Sequence, residues 1–199
     1  LNWFGYCLTG ETREKKFLNI IGHKAQNGKS TICQIFADCL PIYSVELNRD
    51  TFIEGYAKRH KEFARIKQPV RMVLIEELPK NKTLDADTIK RFVDGKVTNE
   101  IMYGTSEEFP IQAKLVITSN FDPNFKTDRG LKRRGLLEIF SNRFYEPADY
   151  EQYKHEKGAH KIDNTICDTK FKNELYQLTF IQILLPHANK YYVTGFQIP

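Results

Sequence analysis

Short apolar runs alternate along the chain with longer amphipathic stretches. FLNIIG at 17–22 is almost wholly apolar and closes on a glycine, as a strand buried on both faces does. IYSVEL (42–47), VRMVLIEEL (70–78), AKLVITSN (113–120) and LLEIF (136–140) repeat the pattern. Between them, Ile32, Ile35, Phe36 and Cys39 stand at helical spacing within 29–39, and 50–66 carries a scattered apolar face that predicts a second helix. Residues 85–93 predict another, with Asp85 as N-cap and Asp94-Gly95 as the stop. Residues 98–103 and 109–112 predict two arms of a hairpin around GTSEE. Strands alternating with helices predict a parallel sheet in an α/β domain. The character changes near Pro147: 150–168 is polar, and 171–189 predicts a helix that packs on the rest. The expected division is a core of 1–148 and a mostly helical C-terminal segment of 149–199.

Composition adds few restrictions. The 199 residues suffice for one domain with a sizeable core. Hydrophobic residues at 41% and charged residues at 28% fit a globular rather than a disordered chain. A net charge of +5 is compatible with a nucleic-acid partner without requiring one. The cysteines form no Cys-x-x-Cys pair and no His pair completes a zinc pattern, so free thiols in a reducing compartment are expected. No run is long and apolar enough to span a membrane, and no signal peptide opens the chain. The first residue is Leu1 rather than methionine, which suggests part of a longer protein.

The candidate chemistry begins at IIGHKAQNGKSTICQIF, 20–36. An apolar strand, a polar loop, Gly-Lys-Ser-Thr and an apolar helix follow in the order of a phosphate-binding loop. The usual loop places four residues between its glycines; Gly22 lies one residue earlier than that spacing requires. The helix-terminal half is intact. Gly22, Asn27, Gly28, Lys29, Ser30 and Thr31 are the candidate nucleotide-binding residues, with 23–26 expected to bulge away. Lys29 is placed to reach the β- and γ-phosphates and Ser30 to ligate Mg²⁺. VLIEE sets Glu76 and Glu77 at the carboxyl end of a strand, where open α/β sheets bind ligands. Neighbouring side chains diverge there, so Glu76 is assigned to the metal and Glu77 to the attacking water. Asn120 ends LVITSN within reach of a γ-phosphate or water. DRGLKRRG, 128–135, offers Arg133 and Arg134 as guanidinium groups for transition-state charge.

These elements, GHKAQNGKST, VLIEE, AKLVITSN and DRGLKRR, stand in an order and spacing that resemble the superfamily 3 helicases. The closest likeness is to the helicase part of poxvirus-type primase-helicases of nucleocytoplasmic large DNA viruses, over about 1–147. The resemblance implies a P-loop NTPase with an AAA+-like parallel sheet flanked by helices, using ATP and Mg²⁺. It implies a ring, usually a hexamer, that hydrolyses ATP between subunits and moves on single-stranded or forked duplex DNA in viral replication. The setting would be the host cytoplasm, in a viral factory, or the host nucleus. Lys29, Ser30, Glu76, Glu77 and Asn120 would come from one subunit and Arg134 from the next, with Arg133 as second choice. The family's DNA-contacting hairpin would fall on 88–114. Its tip here presents Glu107 and Glu108 rather than a lysine, which leaves Lys90, Arg91, Lys96 or Lys114 as DNA contacts. Two other readings stand beside the helicase: a P-loop ATPase that does not unwind, of replication-initiator or packaging-type switch kind, and a non-catalytic nucleotide-binding fragment.

Overall fold

The computed structural model describes residues 1–66, 69–99, 107–124 and 128–196. Helix α1 (Asn2–Leu8) leads to strand β1 (Phe17–Ile21), the loop 22–28 and helix α2 (Lys29–Cys39). Strand β2 (Ser44–Glu46), the short helix α3 (Arg59–Phe63), strand β3 (Met72–Ile75) and helix α4 (Ala86–Val93) follow. Then come β4 (Lys96–Asn99), β5 (Glu107–Pro110), β6 (Lys114–Ser119), α5 (Arg129–Arg134) and β7 (Gly135–Ile139). The C-terminal part holds β8 (Arg143–Tyr145), α6 (Pro147–Tyr153), β9 (Ala159–Lys161), α7 (Thr165–Asp168) and the long α8 (Glu174–Thr194).

Five parallel strands form the central sheet in the order β2-β3-β6-β1-β7. The apolar runs of β1, β3 and β6 are continuous because these central strands are buried on both faces; the edge strands β2 and β7 are partly exposed. Alternate residues serve opposite layers: Val73, Ile75, Leu115 and Ile117 join one cluster with Phe52, Phe63, Ile89 and Phe92. Met72, Leu74 and Val116 join the other, with Phe36, Tyr6 and Leu184. Each large apolar side chain so buried contributes about 1.5–3 kcal/mol. This bears out the α/β class, a parallel sheet flanked by helices.

Three expectations change. Residues 50–66 are helical only over α3. Thr51, Phe52 and Ile53 are buried in succession, Ile53 bridges Leu84, and Gly55 adopts a positive φ of 76°. Helical periodicity cannot bury three neighbours in a row on one face, so tertiary packing prevails over the pattern. The hairpin stem is β4 against β5, pairing Lys96 with Pro110, so Glu107 and Glu108, expected at the tip, belong to the stem; the rest of the expected tip lies outside the described residues. The polar 150–168 also carries more structure than expected, with β9 paired in parallel to β8.

Helix α8 is apolar on several sides, and its buried stripe is Phe180, Leu184, Ala188 and Tyr191. That stripe lies on α1, with the Tyr6 and Tyr191 rings 4.7 Å apart and Arg13 Nε donating to Tyr191 Oη at 2.9 Å. None of the helices among the described residues is long and apolar enough to cross a membrane. The closest approach is at Gly5, where a Cβ would stand 2.4 Å from His187 Cβ and 3.0 Å from the Ala188 amide nitrogen. Gly5→Ala gains up to about 1 kcal/mol of helix propensity but forces the helices apart at about 1–3 kcal/mol. The expected net result is a melting temperature lower by roughly 2–6 °C, read by thermal denaturation; an unchanged or raised melting temperature would contradict this packing.

Candidate nucleotide site

The carboxyl ends of β1, β3 and β6 meet at one edge of the sheet. Because β6 lies between β1 and β3, Asn120 sits beside the loop after β1, and Glu76 one strand further on. The loop depends on close approach. A Cβ at Gly22 would stand 1.8 Å from Asn27 Nδ2, so only glycine admits the Asn27 side chain there. Gln26 and Gly28 take positive φ values of 57° and 84°. Gly28 is the N-cap of α2, which places the amides of 28–31 at the positive end of the helix dipole, the Lys29 amide donating to Asn27 Oδ1 at 3.5 Å. His23, Lys24, Ala25 and Gln26 are all exposed.

Lys29 is 8% exposed. Its ammonium donates to Asn120 Oδ1 at 2.8 Å, Asn27 Oδ1 at 3.0 Å and the Gly22 carbonyl at 3.4 Å. Burial lowers its pKa, and the nearby charges of Glu77 and Glu76 oppose that fall. Glu76 is half-buried, with the Ser30 hydroxyl beside it favouring its charged form. Its pKa is raised, first by burial and then by Glu46 at the end of β2. Glu77 is exposed and holds a positive φ of 52°, with its amide donating to Thr118 Oγ1 at 3.4 Å. A non-glycine residue in that region costs about 1–2 kcal/mol, a strain that clusters at functional sites. The carboxylates differ in surroundings: both act electrostatically on Lys29, but Glu76 is half-buried beside Ser30 and Glu77 is exposed.

The candidate arginines lie elsewhere. Gly135, next to Arg134, pairs with Phe17 at the start of β1, and the loop follows its end. Four residues of strand, about 13 Å, separate the two levels. Arg134 Nη2 stands 3.5 Å from Asp94 and Nη1 3.5 Å from the Gly130 carbonyl. Arg133 is exposed. The chain does not bring either guanidinium to its own loop.

A feature that sequence reasoning missed lies on the other side of the loop. A cavity of about 470 Å³ opens between α2 and the segment 140–166, with Gly28, Thr31, Phe144 and Ile166 among its walls. The Phe144 amide donates to the Gln26 carbonyl at 2.8 Å, tying β8 to the loop. No motif announces this, because the wall residues are ordinary apolar side chains scattered through a polar stretch.

The DNA-contact candidates separate. Arg91 and Lys96 line a cavity of about 240 Å³ together with Tyr56 and His60. Lys96 is paired with Glu108 at 2.9 Å. Lys90 binds Asp128 at 2.6 Å and Asp87 at 3.4 Å, so its charge is neutralised within the chain.

Comparison with known proteins follows the same outline. A family model described as "Family of unknown function (DUF5906)" matches residues 20–134, from the end of β1 through Arg134. No curated protein matches. Among solved structures, the A-form apo structure of the NrS-1 C-terminal region superposes with a TM-score of 0.61 at 11% identity, covering 94% of this chain and 42% of that chain. A second such structure, of 305–718, gives 0.52 at 13% identity, covering 100% and 40%. The JCV helicase gives 0.48 at 11%, covering 97% and 60%. The first two show a shared fold. The chain spans about two fifths of the NrS-1 chains it matches.

Lys114 needs correction. It is 3% exposed, donates to the Thr9 and Gln112 carbonyls, and lies 4.7 Å from the Tyr6 ring centroid. A buried ammonium cannot meet a phosphate backbone, so it is not a DNA contact. Burial lowers its pKa to about 8. The unfolded chain then binds more protons than the folded one between about pH 8 and the ordinary lysine value, so this group's contribution to stability rises with pH across that window. The melting temperature of the wild type minus that of Lys114→Met is expected to climb by several degrees from pH 8 to 10; a flat difference would contradict the burial.

Proposed function

The chain belongs to the DUF5906 family, and from that premise and the site geometry we propose that it is an ATP-hydrolysing domain of a DNA helicase acting in viral DNA replication. The observation that carries the reading is the Lys29 ammonium, held 2.8 Å from Asn120 Oδ1 and 3.0 Å from Asn27 Oδ1 beside the Ser30–Glu76 pair. Residues far apart in sequence converge on one buried cation at a helix N-terminus, which is where a phosphate chain binds.

The residues fit both ATP and Mg²⁺. The asparagine oxygens occupy positions around Lys29 that phosphate oxygens would take. No group of three or more His, Cys, Asp or Glu able to hold a metal exists among the described residues. Mg²⁺ ordinarily uses one or two protein oxygens together with phosphates and water, and Ser30 and Glu76 suit that habit. The raised pKa of Glu76 supports the fit, since a cation beside it would offset the unfavourable burial of its charge. When bound, the metal would supply charge neutralisation on the phosphates.

In the proposed reaction the amides of 28–31 and Lys29 orient the phosphates. Glu77, turned outward at the strand end, accepts the proton of the attacking water. Asn120 releases Lys29 to the γ-phosphate and holds the water in line. Transition-state charge would be met by Arg134, or Arg133, from a neighbouring copy, because neither reaches the site in its own chain. That requirement is what supports a ring, a hexamer in the proposed form, with single-stranded or forked DNA as its track. The setting we propose is the cytoplasm or nucleus of an infected host cell. Arg91 and Lys96 beside Tyr56 are the remaining candidates for DNA contact. A non-unwinding switch ATPase is favoured by one observation: Lys96 is already neutralised by Glu108.

Hydrolysis measured with and without single-stranded DNA tests the choice. Stimulation that fades with salt is expected for the motor; indifference to DNA favours the switch. Glu77→Gln should bind nucleotide within about threefold of the wild type and lose about 10²–10³-fold in hydrolysis; normal hydrolysis would displace Glu77 as the base. Arg134→Ala should lower hydrolysis by about 10³-fold, and mixing it with Lys29→Ala subunits should restore a fraction of the sites. If mixing restores nothing while Arg133→Ala mixtures do recover activity, the finger is Arg133.

A further inference from the structure

The cavity beside the loop is continuous with the proposed phosphate site. Gln26, Asn27, Gly28 and Thr31 form its loop side. A phosphate chain with its γ end at Lys29 and Asn120 would run back over Gly28 toward Thr31, and its other end would then leave the loop on the side lined by these residues. There the walls become apolar: Ile32 and Ile35 from α2, Phe144 from β8, Ile162 and Ile166 from the segment around α7. Asn142 and Asp163 add polar groups. Phe144 is built into the loop, since its ring would lie 3.3 Å from a Cβ at Gly28 and its amide bonds Gln26.

We infer that this cavity, roofed by residues 140–166, receives the base and ribose of the nucleoside triphosphate. The inference rests on the phosphate-site reading above. Its size of about 470 Å³ lies within the range of small-molecule sites. Its character is that of a nucleoside site: an aromatic ring for a base face, aliphatic side chains around it, and a few polar atoms for edges and hydroxyls. The C-terminal segment is then part of the nucleotide site, and affinity divides between two halves of the chain. Lys29 and the loop hold phosphates; Phe144, Ile162 and Ile166 hold the nucleoside.

Binding of Mg²⁺-ATP and of Mg²⁺ with inorganic triphosphate, measured by calorimetry on the intact chain, tests the division. The wild type should bind ATP at least tenfold more tightly than triphosphate. Ile166→Trp, which fills the cavity, and Phe144→Leu, which removes the ring and keeps apolar contact with the loop, should each weaken ATP binding by about tenfold and leave triphosphate binding within about twofold. Lys29→Ala should weaken both ligands. Equal affinity of the wild type for ATP and triphosphate would overturn the nucleoside cavity and leave the phosphate site standing. So would ATP binding unmoved by both cavity variants. Failure of the wild type to bind either ligand, or binding indifferent to Lys29→Ala, would overturn the phosphate reading and this inference with it.

Discussion

A lysine ammonium removed from water must be given oxygen atoms, and that requirement at Lys29 organises the loaded edge of the sheet. An unpaired buried charge costs several kcal/mol, so the three acceptors around Lys29 are a condition of the loop's shape. They come from three places: the Gly22 carbonyl at the end of β1, Asn27 in the loop and Asn120 at the end of β6. Each sets a condition of its own. Asn27 reaches inward only because Gly22 lacks a side chain. Asn120 is near only because β6 pairs with β1 over Leu18–Ile21 against Val116–Ser119. The sheet order and the loop sequence are thus bound together by one cation.

The same order explains why two adjacent glutamates have different environments. The strand ends at Ile75, and beyond it the chain is no longer held by ladder hydrogen bonds. Glu76 stays half-buried against Ser30 and feels Glu46 from the next strand, which raises its pKa. Glu77 turns through a positive φ and remains exposed. Two carboxylates with different environments suit two tasks better than a symmetric pair would. The strained backbone at Glu77 is consistent with a direction imposed by the site rather than by local preference.

Much of this was legible in the sequence because the three central strands are buried on both faces. A strand flanked by two layers reads as an apolar run, as β1, β3 and β6 do in FLNIIG, VRMVLIEEL and AKLVITSN, while the edge strands in IYSVEL and LLEIF carry Ser or Glu and are partly exposed. The loop was legible because glycine, lysine and a hydroxyl at a helix start answer one electrostatic need. What was not legible depends on partners distant in sequence. Phe52 and its neighbours look helical until Leu84 and Phe92 pack against them. Lys114 looks like a surface cation until α1 supplies Tyr6 and the Thr9 carbonyl. Phe144 and Ile166 carry no pattern at all; their meaning comes from lying across the loop.

The position of the arginines bears on what a single copy of this chain is able to do. Arg134 leads into β7 at the end of the sheet opposite the loop, tied to Asp94 and the Gly130 carbonyl. Its Nε is buried with no hydrogen-bond partner among the described residues. A guanidinium held this way is positioned, yet its own site is a strand length away. In the proposed reaction Lys29 would neutralise phosphate charge from one side only, and Glu77 would add negative charge near the water. On the proposed reading, the candidate arginines of a single copy stay at the far end of the sheet, away from the charge that would develop during transfer. In the proposed mechanism a second copy presenting its α5 end to this edge would supply one of them, so hydrolysis would depend on assembly while nucleotide binding would not.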